Sequence, residues 1–583
     1  MRSISTEVLV IGGGPVGLST ALHLNQQGVD CVVVEKHPST ATHPKASYFN
    51  VRTMEILRQI GAADDVYATA LMPSGVSFYT RLCGYKLGVL SGADYLDHIE
   101  RIRRSTASPG CVSSQVVLEA ILKRHGEAAR HVKLLFHHEK TAIEQNENGI
   151  VATVLNRDRG EELRIEASYA IACEGVRSST REALGRKLVG PPAFGHVINI
   201  YLEGDLESLV EEKDQALYWT STPSAPGAFI ALGGDRRRYC FNTPYFPEDG
   251  ERPEDFTEER CVTRVRAALG TDRLPIKILA VGSWVLCGQV IDHYRQGRIF
   301  FGGDTAHLNI PTGGFGFNTG MQETHNLAWK LAAVLRRVAP PALLDTYHQE
   351  RRPIAVFNVE KSRENAVNIR QTGATFGGRV PNTDEVDLDT PRGRAQREEK
   401  SRAIHEQKTH FLFLGQEIGY GYWDSPIIVP DGTRHYAEEH HVDDPVYVYV
   451  PNARPGARAP HCWIARAGGT DSRFPMHDLF TTDFVLLTHG EHGAAWARTI
   501  DRRSESVPLR HYRVGEPGSA ADLTDVEQTW RSDYGIESDG AVLVRPDGHV
   551  CWRAASGPEG HTGVGLADAL DIALGRHLVE TTA

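Results

Sequence analysis

Nowhere do the 583 residues contain eighteen consecutive apolar side chains, so the usual membrane-spanning helix is missing and no membrane partner is expected. The first ten residues read as a strand, without the charged-then-apolar order of a signal peptide. Cysteine is sparse and scattered: nine residues, none spaced as CxxC and none grouped with His at metal-ligand spacing. Dithiol exchange and a bound metal are therefore not expected, and single thiols fit a reducing, cytoplasmic compartment. A basic excess is also lacking. Lys and Arg number 63 against 74 Asp and Glu, a formal charge of −11, which leaves no cationic stripe for nucleic acid. No segment repeats at a solenoid period. What remains, 41% hydrophobic and 23% charged, has the balance of an ordinary globular chain of about two to four domains.

The apolar run TEVLVI, residues 6 to 11, ends in GGGPVG and is followed by LSTALHLNQQG, with Leu18, Ala21, Leu22 and Leu24 near helical spacing. VDCVVVEK then reads as a second buried strand. A strand–turn–helix–strand unit of this kind opens a doubly wound parallel sheet. Its turn carries Gly12, Gly14 and Gly17 as GxGxxG, with Pro15 inside the motif. The first glycine permits the tight turn, the second lets backbone approach a pyrophosphate, and the third lets helix pack on strand. The helix N-terminus then favours the anion. Glu35, at the end of the second strand, can accept hydrogen bonds from a ribose, with Lys36 beside it. A dinucleotide is bound here, and the motif alone leaves FAD and NAD open.

A second glycine run, GDTAHLNIPTGGFGFNTG at residues 303 to 320, also lies between a strand and a helix. Between the two runs the texture changes. HVINIYL, ALYWTST, AFIAL and RYCFN are short aromatic or alternating strands with Pro/Gly turns, which predict an antiparallel sheet over 186–279. The expected order is a first part of the dinucleotide-binding domain at 1–185, the inserted sheet at 186–279, and a second part of the first domain at 280–365. A polar linker or arm at 366–409 and a separate α/β domain at 410–583 follow.

Several ordered stretches together resemble the FAD-dependent aromatic hydroxylases, class A flavoprotein monooxygenases of the para-hydroxybenzoate hydroxylase fold. The resemblance is strongest to the phenol and dichlorophenol monooxygenase branch, covers nearly the whole chain, and settles the cofactor as FAD. PKASYFNVRTMEIL is similar to the family segment that passes along the flavin, with Lys45-Ala46 where the family usually has Arg-Ala. SSQVVLEAIL puts Gln115 where the family holds the phosphate–ribityl region. ACEGVRSSTR matches the family's Asp-Gly motif with Glu174 in place of Asp, Gly175, and Arg181 retained. In the second glycine run the resemblance implies that Asp304 bonds the ribityl chain and that Pro311 lies near the reactive edge of the ring. Gly314, Gly316, Phe317 and Asn318 would present backbone amides to the ring's carbonyls. His307 reads as a structural turn residue rather than a catalyst.

Within the inserted sheet the resemblance makes Tyr218 and Arg238 the catalytic candidates, Tyr218 by hydrogen bonding the substrate phenol. A core aromatic and a surface charge are the plainer readings of these two. The turn GGDRR lacks the serine–arginine pair that clamps a carboxylate, so an uncharged phenol or hydroxypyridine is expected rather than a benzoate. The resemblance implies NADPH or NADH as transient reductant, O2 as co-substrate, hydroxylation through a flavin hydroperoxide, and a homo-oligomer. PGARAPHCWI and VLVRPDGHVCWR resemble the family's thioredoxin-like C-terminal domain, without its CxxC. The rival expectations are an FAD-dependent oxidase or epoxidase on the same fold, and a flavin-binding scaffold without turnover.

Overall fold

The computed structural model describes residues 2–579 apart from 73, 91–92, 435, 440–441, 443, 468–471, 491–493 and 500–506. The run before the first glycine turn becomes the strand Arg2–Ile11, flanked in parallel by Cys31–Glu35 and Glu161–Ala172. Val132–Phe136 and Ile299–Phe301 extend the parallel sheet on either side. Register brings Ile11 opposite both Val34 and Ala172, and Ala172 opposite Phe301. The residues that follow these strands, Gly12–Gly14, Glu35, Cys173–Glu174 and Gly302–Asp304, therefore emerge along one edge. That edge is the crevice in which open α/β sheets take ligands.

The helix Phe315–Leu335 packs against Pro15–Gln26 and is buried on nearly all sides. Leu327, Ala328, Leu331 and Ala332 of its apolar stripe join the core under the sheet.

The inserted sheet has seven strands, in the order Ile276–Leu286, Gly195–Gly204, Arg238–Pro244, Gly227–Ala231, Leu217–Thr220, Val76–Tyr79, Lys86–Leu90. It differs from the expected 186–279 at both ends. Ile276–Leu286 runs through the boundary read at 279, because its alternating residues pair with Gly195–Gly204 on both sides of a bulge at Leu279. The hairpin Val76–Leu90 is supplied by the segment before it, and Val76–Tyr79 joins Leu217–Thr220 in parallel.

The stretch 366–409, read as a linker, is built into the molecule. Its helix Pro391–His405 turns most charged residues outward, buries Lys400, and packs Ile404 on Gly88. Ala374, Phe376, Val386 and Ile404 join Trp219 and Phe78 in one apolar cluster. Few apolar residues lie here, and most are buried, although Val367 and Leu388 are exposed.

In the C-terminal part, Phe484–His489 pairs in parallel with Leu509–Gly515 and antiparallel with Ala541–Val544, which pairs with Val550–Ala554 before the helix Leu566–Ala573. This is thioredoxin-like topology, extended by Leu523–Asp525, Trp463–Arg466 and Phe474–Pro475. Cys462 and Cys551 are buried free thiols, and burial raises both pKa values.

A buried ionic cluster fixes this domain to the first. Glu350, on the helix Thr346–Asn368, accepts hydrogen bonds from Arg545 at 2.6 and 3.0 Å and from Lys330 at 2.6 Å, and Asp547 also binds Arg545. Trp329 Nε1 donates to Asp547 Oδ2 at 3.2 Å. A second cluster joins Arg458 to Glu55, with Arg52 donating to Glu55 at 3.0 Å. Burial alone would raise the Glu350 carboxyl, but Arg545 and Lys330 hold it down to about 2. Its folded pKa thus lies below the unfolded value of about 4.3. The stabilisation is complete above that value and is lost as pH falls toward 2. Glu350→Ala leaves buried Lys330 without its carboxylate and Arg545 with Asp547 alone, and is expected to cost about 3–5 kcal/mol, read as a lower urea midpoint. An unchanged midpoint would contradict the role given to this cluster.

Candidate active site

The crevice at the strand ends continues into the space between the two sheets as one cavity of about 1830 Å³. That exceeds the roughly 300–1,000 Å³ of a pocket for one small ligand. At one end lie Gly13, Gly14, Pro15, Glu35 and Lys36; in the middle Lys45, Ala46, Gln115, Glu174 and Asp304; beyond them Pro311, Gly314, Gly316 and Phe317. The structure thus brings together most of the cofactor residues expected from the sequence.

Two helices begin on this cavity without side-chain caps. Pro15–Gln26 starts on extended Gly14, and Phe315–Leu335 starts on Gly314 in the left-handed region, φ 69°. Gly313 before it has φ 88°, so two successive glycines make a turn that side chains would strain. First-turn N–H groups left by such helices need an outside acceptor. An FAD pyrophosphate suits the first set and the electron-rich ring of a reduced flavin suits the second. Gly14 has open space where a Cβ would stand, whereas a Cβ on Gly12 would meet the Cys173 carbonyl and one on Gly17 the Gly12 carbonyl. These are the packing roles the spacing implies, and neither Gly12 nor Gly17 lines the cavity.

Glu35 Oε2 accepts from Gly13 N at 2.7 Å and Oε1 from His37 N at 2.9 Å. Oε1 also lies 2.5 Å from His37 Nδ1, so Oε2 is the oxygen left with a lone pair for a ribose hydroxyl. Gln115 Oε1 accepts from Ala46 N at 3.1 Å, and Gln115 N donates to Ala46 O, so the segment carrying Lys45 is pinned to the wall. Enclosure raises the Asp304 pKa, opposed by nearby His307 and Lys45. Under the same turn, Gly303 N donates to Glu323 Oε2 at 2.8 Å, and His307 Nε2 lies 3.2 Å from Glu323 Oε1. His307 is fully buried: burial favours its neutral form, but Glu323 outweighs this and raises its pKa. It supports the turn and does not face the cavity. The donors and acceptors along the cleft fit FAD.

Four residues have other tasks than the sequence suggests. Glu174 accepts from Ser178, Ser179 and Thr180 N and lies 3.3 Å from Lys140. Burial would raise its pKa, but Lys140 and these hydrogen bonds hold it below the usual value. The additional methylene lets it cap the helix Ser179–Ala183, and only its edge borders the cavity. Asn318 is buried behind the wall, donating to Tyr48 O at 2.9 Å and Gly314 O at 2.6 Å and accepting from Asn50 N and Thr53 Oγ1.

Tyr218 stands on the wrong face of its strand. Its hydroxyl donates to Glu207 at 3.1 Å in a separate core, while its neighbours Leu217 and Trp219 line the cavity. Strand side chains alternate, so an error of one residue reverses the face. Arg238 is exposed at the start of its strand and does not line the cavity. Both residues are therefore removed from the set that touches a substrate.

The far end of the cavity is aromatic. Trp219 and Phe376 meet edge to face at 4.6 Å, His410 stacks on Phe411 at 4.2 Å, and Trp284 and Phe413 complete the wall. Burial lowers the His410 pKa to about 3, so the ring is neutral at pH 7. These residues escaped the sequence reading because 366–409 looked like a polar linker and 410 onward like another domain. The signal was present in THFLF, residues 409 to 413, an aromatic cluster in a charged neighbourhood.

Asp304→Ala is expected to weaken FAD retention by the value of a charged hydrogen bond, about 1.5–3 kcal/mol, measured as bound flavin per chain after dialysis. Undiminished flavin would contradict its placement.

Comparison with known proteins agrees with this geometry. Residues 5–362 match the family described as FAD binding domain, and residues 452–577 match aromatic-ring hydroxylase, C-terminal. Tetracenomycin A2 monooxygenase-dioxygenase of Streptomyces glaucescens is 32% identical, over 99% of this chain and 98% of that protein. The 2,4-dichlorophenol 6-monooxygenase of Delftia acidovorans is 31% identical, over 98% and 99%. The flavin-dependent monooxygenase PieE, solved with FAD and substrate, superposes with a TM-score of 0.88 at 30% identity, covering 98% of this chain and 100% of that one. Two uncapped helix starts, a ribose-facing glutamate and an aromatic chamber in one cleft thus belong to a member of the FAD-dependent aromatic-ring hydroxylases, which use NAD(P)H and O2.

Proposed function

We propose that this hydroxylase acts on an uncharged, planar phenol of more than one ring. The observation that carries the reading is the chamber wall. Residues 216–230 and 376–413 contribute Trp219, Phe376, Phe411 and Phe413, and no Lys or Arg from those stretches lines the cavity. A carboxylate-bearing substrate would find no counter-charge on those two stretches; the cavity's cations, Arg103 among them, come from other elements. Flat apolar surface instead rewards stacking over a wide area. Asn242 and neutral His410 supply the few polar groups that orient a bound ring. Asn199 Nδ2 donates to Asn242 Oδ1 at 2.8 Å, which leaves the Asn242 amide hydrogens to point elsewhere. Relatives named for tetracenomycin and aklavinone support the multi-ring reading, whereas one named for dichlorophenol acts on a single ring.

FAD, when bound and reduced, supplies the activated oxygen. The chain does the rest. Gly13–Pro15 and Glu35 hold the nucleotide, Asp304 the linking chain, and the 311–317 turn the ring, while the aromatic wall excludes water from the reacting face.

The test is NADH or NADPH consumption by the FAD-bound protein with one- to four-ring phenols, with product analysis. Multi-ring phenols are expected to stimulate consumption and yield a product one oxygen heavier. Peroxide in place of product would favour an oxidase, and flavin that neither nicotinamide reduces would favour a scaffold. Tyr218→Phe is expected to leave this turnover unchanged, while loss of its bond to Glu207 lowers stability by about 1 kcal/mol. A large drop in turnover at normal flavin content would return Tyr218 to the site.

A further inference from the structure

Glu417 is a carboxyl group that the cofactor site does not explain. It is 3% exposed, on the short helix Leu414–Ile418, packed among Val51, Leu414, Ile418 and Tyr449. Among the described residues no cation pairs with it. Its Oε2 accepts from Val51 N at 3.1 Å, and its Oε1 accepts from the Tyr48 hydroxyl at 2.7 Å. An unpaired buried carboxyl is costly and asks for a reason.

Tyr48 supplies one. Its ring lies against Gly314, where a Cβ would come within 3.3 Å of Tyr48 Cδ1, so it rests on the turn that starts the second uncapped helix. Its hydroxyl lies beside Gly110, 3.1 Å from where a Cβ would stand, and its ring meets Phe413 edge to face at 6.0 Å. Tyr48, Gly110, Gly314 and Phe413 all line the cavity, whereas Glu417 does not. The phenol of Tyr48 thus stands between the cavity and the buried carboxyl, where the chamber meets the flavin-facing turn. Asn318 holds it there through the Tyr48 carbonyl.

We propose that Tyr48 and Glu417 form a proton relay that ionises the substrate phenol, Tyr48 as a catalytic residue and Glu417 as the group that acts through it. The proposal rests on the hydroxylase reading above. The substrate O–H bond breaks and its electron pair stays on the substrate oxygen. A new O–H bond forms at Tyr48 Oη as the original Tyr48 proton passes along the 2.7 Å bond to Glu417 Oε1. No electrons change hands. The phenolate oxygen then enriches its ortho and para carbons, the positions that attack activated oxygen. The proton returns by the same path when the ring regains aromaticity.

The acidity suits the task. Burial raises Glu417 to about 7, with the hydrogen bonds from Tyr48 and Val51 opposing and Glu55 adding to the rise. Glu55 is itself neutralised by Arg458 and Arg52. Tyr95 and Cys111 face the Tyr48 hydroxyl and reinforce its neutral form, whose pKa is pushed far up by burial and by Glu417. A base that titrates near neutrality is best matched to working pH. Since Glu417 accepts only when ionised, relay activity rises with pH through about 7.

Glutamine is nearly isosteric: its carbonyl oxygen can still accept from Val51 N while its amide donates to the Tyr48 hydroxyl oxygen, so a merely structural Glu417 would survive the change. In FAD-bound protein with O2 and NAD(P)H, Glu417→Gln and Tyr48→Phe are expected to slow product formation from a neutral naphthol by about 100-fold or more at unchanged flavin content. Glu417→Gln should also lose the acid limb of the pH–rate profile. With a nitrophenol already ionised at the assay pH, which has no proton to give, the deficit should largely vanish. Wild-type rate and an intact acid limb in Glu417→Gln would overturn the relay, as would an equal deficit with the ionised phenol. If Glu417→Gln does not fold, Tyr48→Phe with the two phenols decides the matter. Wild-type protein that forms no hydroxylated product from any phenol would instead overturn the function on which the relay rests.

Discussion

Backbone N–H groups without partners are the constraint around which this molecule is arranged. Two helices, Pro15–Gln26 and Phe315–Leu335, begin at the same cavity, and neither has a side chain to cap it. Their first-turn donors point where an anion or an electron-rich ring can meet them. The parallel sheet makes this possible by ending its strands on one edge, so that Gly13, Glu35, Glu174 and Asp304 arrive together from distant parts of the chain. What the protein leaves unsatisfied, FAD supplies.

The rest of the structure keeps that cleft closed and rigid. The inserted sheet adds Trp219 and Trp284, and the segment 366–413 folds back over it with Phe376, Phe411 and Phe413. The C-terminal domain takes no part in dithiol chemistry, since its two cysteines are buried and separate. Arg545 and Arg458 reach into the helices beneath the cleft and pair with Glu350 and Glu55, while Asp547 accepts from Trp329 Nε1. One such charge removed leaves another stranded, so both domains are coupled as a unit.

How much of this could be read in the sequence depended on the kind of constraint. Gly12, Gly14, Gly17, Glu35, Asp304 and the 313–316 turn were legible because a backbone requirement writes itself as a residue type at fixed spacing. Tyr218 failed for the opposite reason. A strand tells which residues share a face, but not which face meets the cavity, and here Trp219 does. The buried wall at 376–413 was masked by the charged outer face of Pro391–His405, whose inward residues are few. Glu174 matched a family position, yet its carboxylate is taken up by the nearby Ser178, Ser179 and Thr180 and by Lys140, of which only Lys140 is remote in sequence. Glu417 carried no motif at all. Its meaning lies in a neighbour 369 positions away, Tyr48.

The central claim is that one cleft orients FAD between two uncapped helix starts, with the aromatic chamber at the ring end. A crystal structure of the yellow protein with its cofactor and a bound multi-ring phenol tests it most directly. The account predicts pyrophosphate density at Gly13–Pro15, the flavin ring along residues 311–317, and the phenol between Trp219 and Phe411. Density for the ring elsewhere, or a phenol bound outside that chamber, would contradict it.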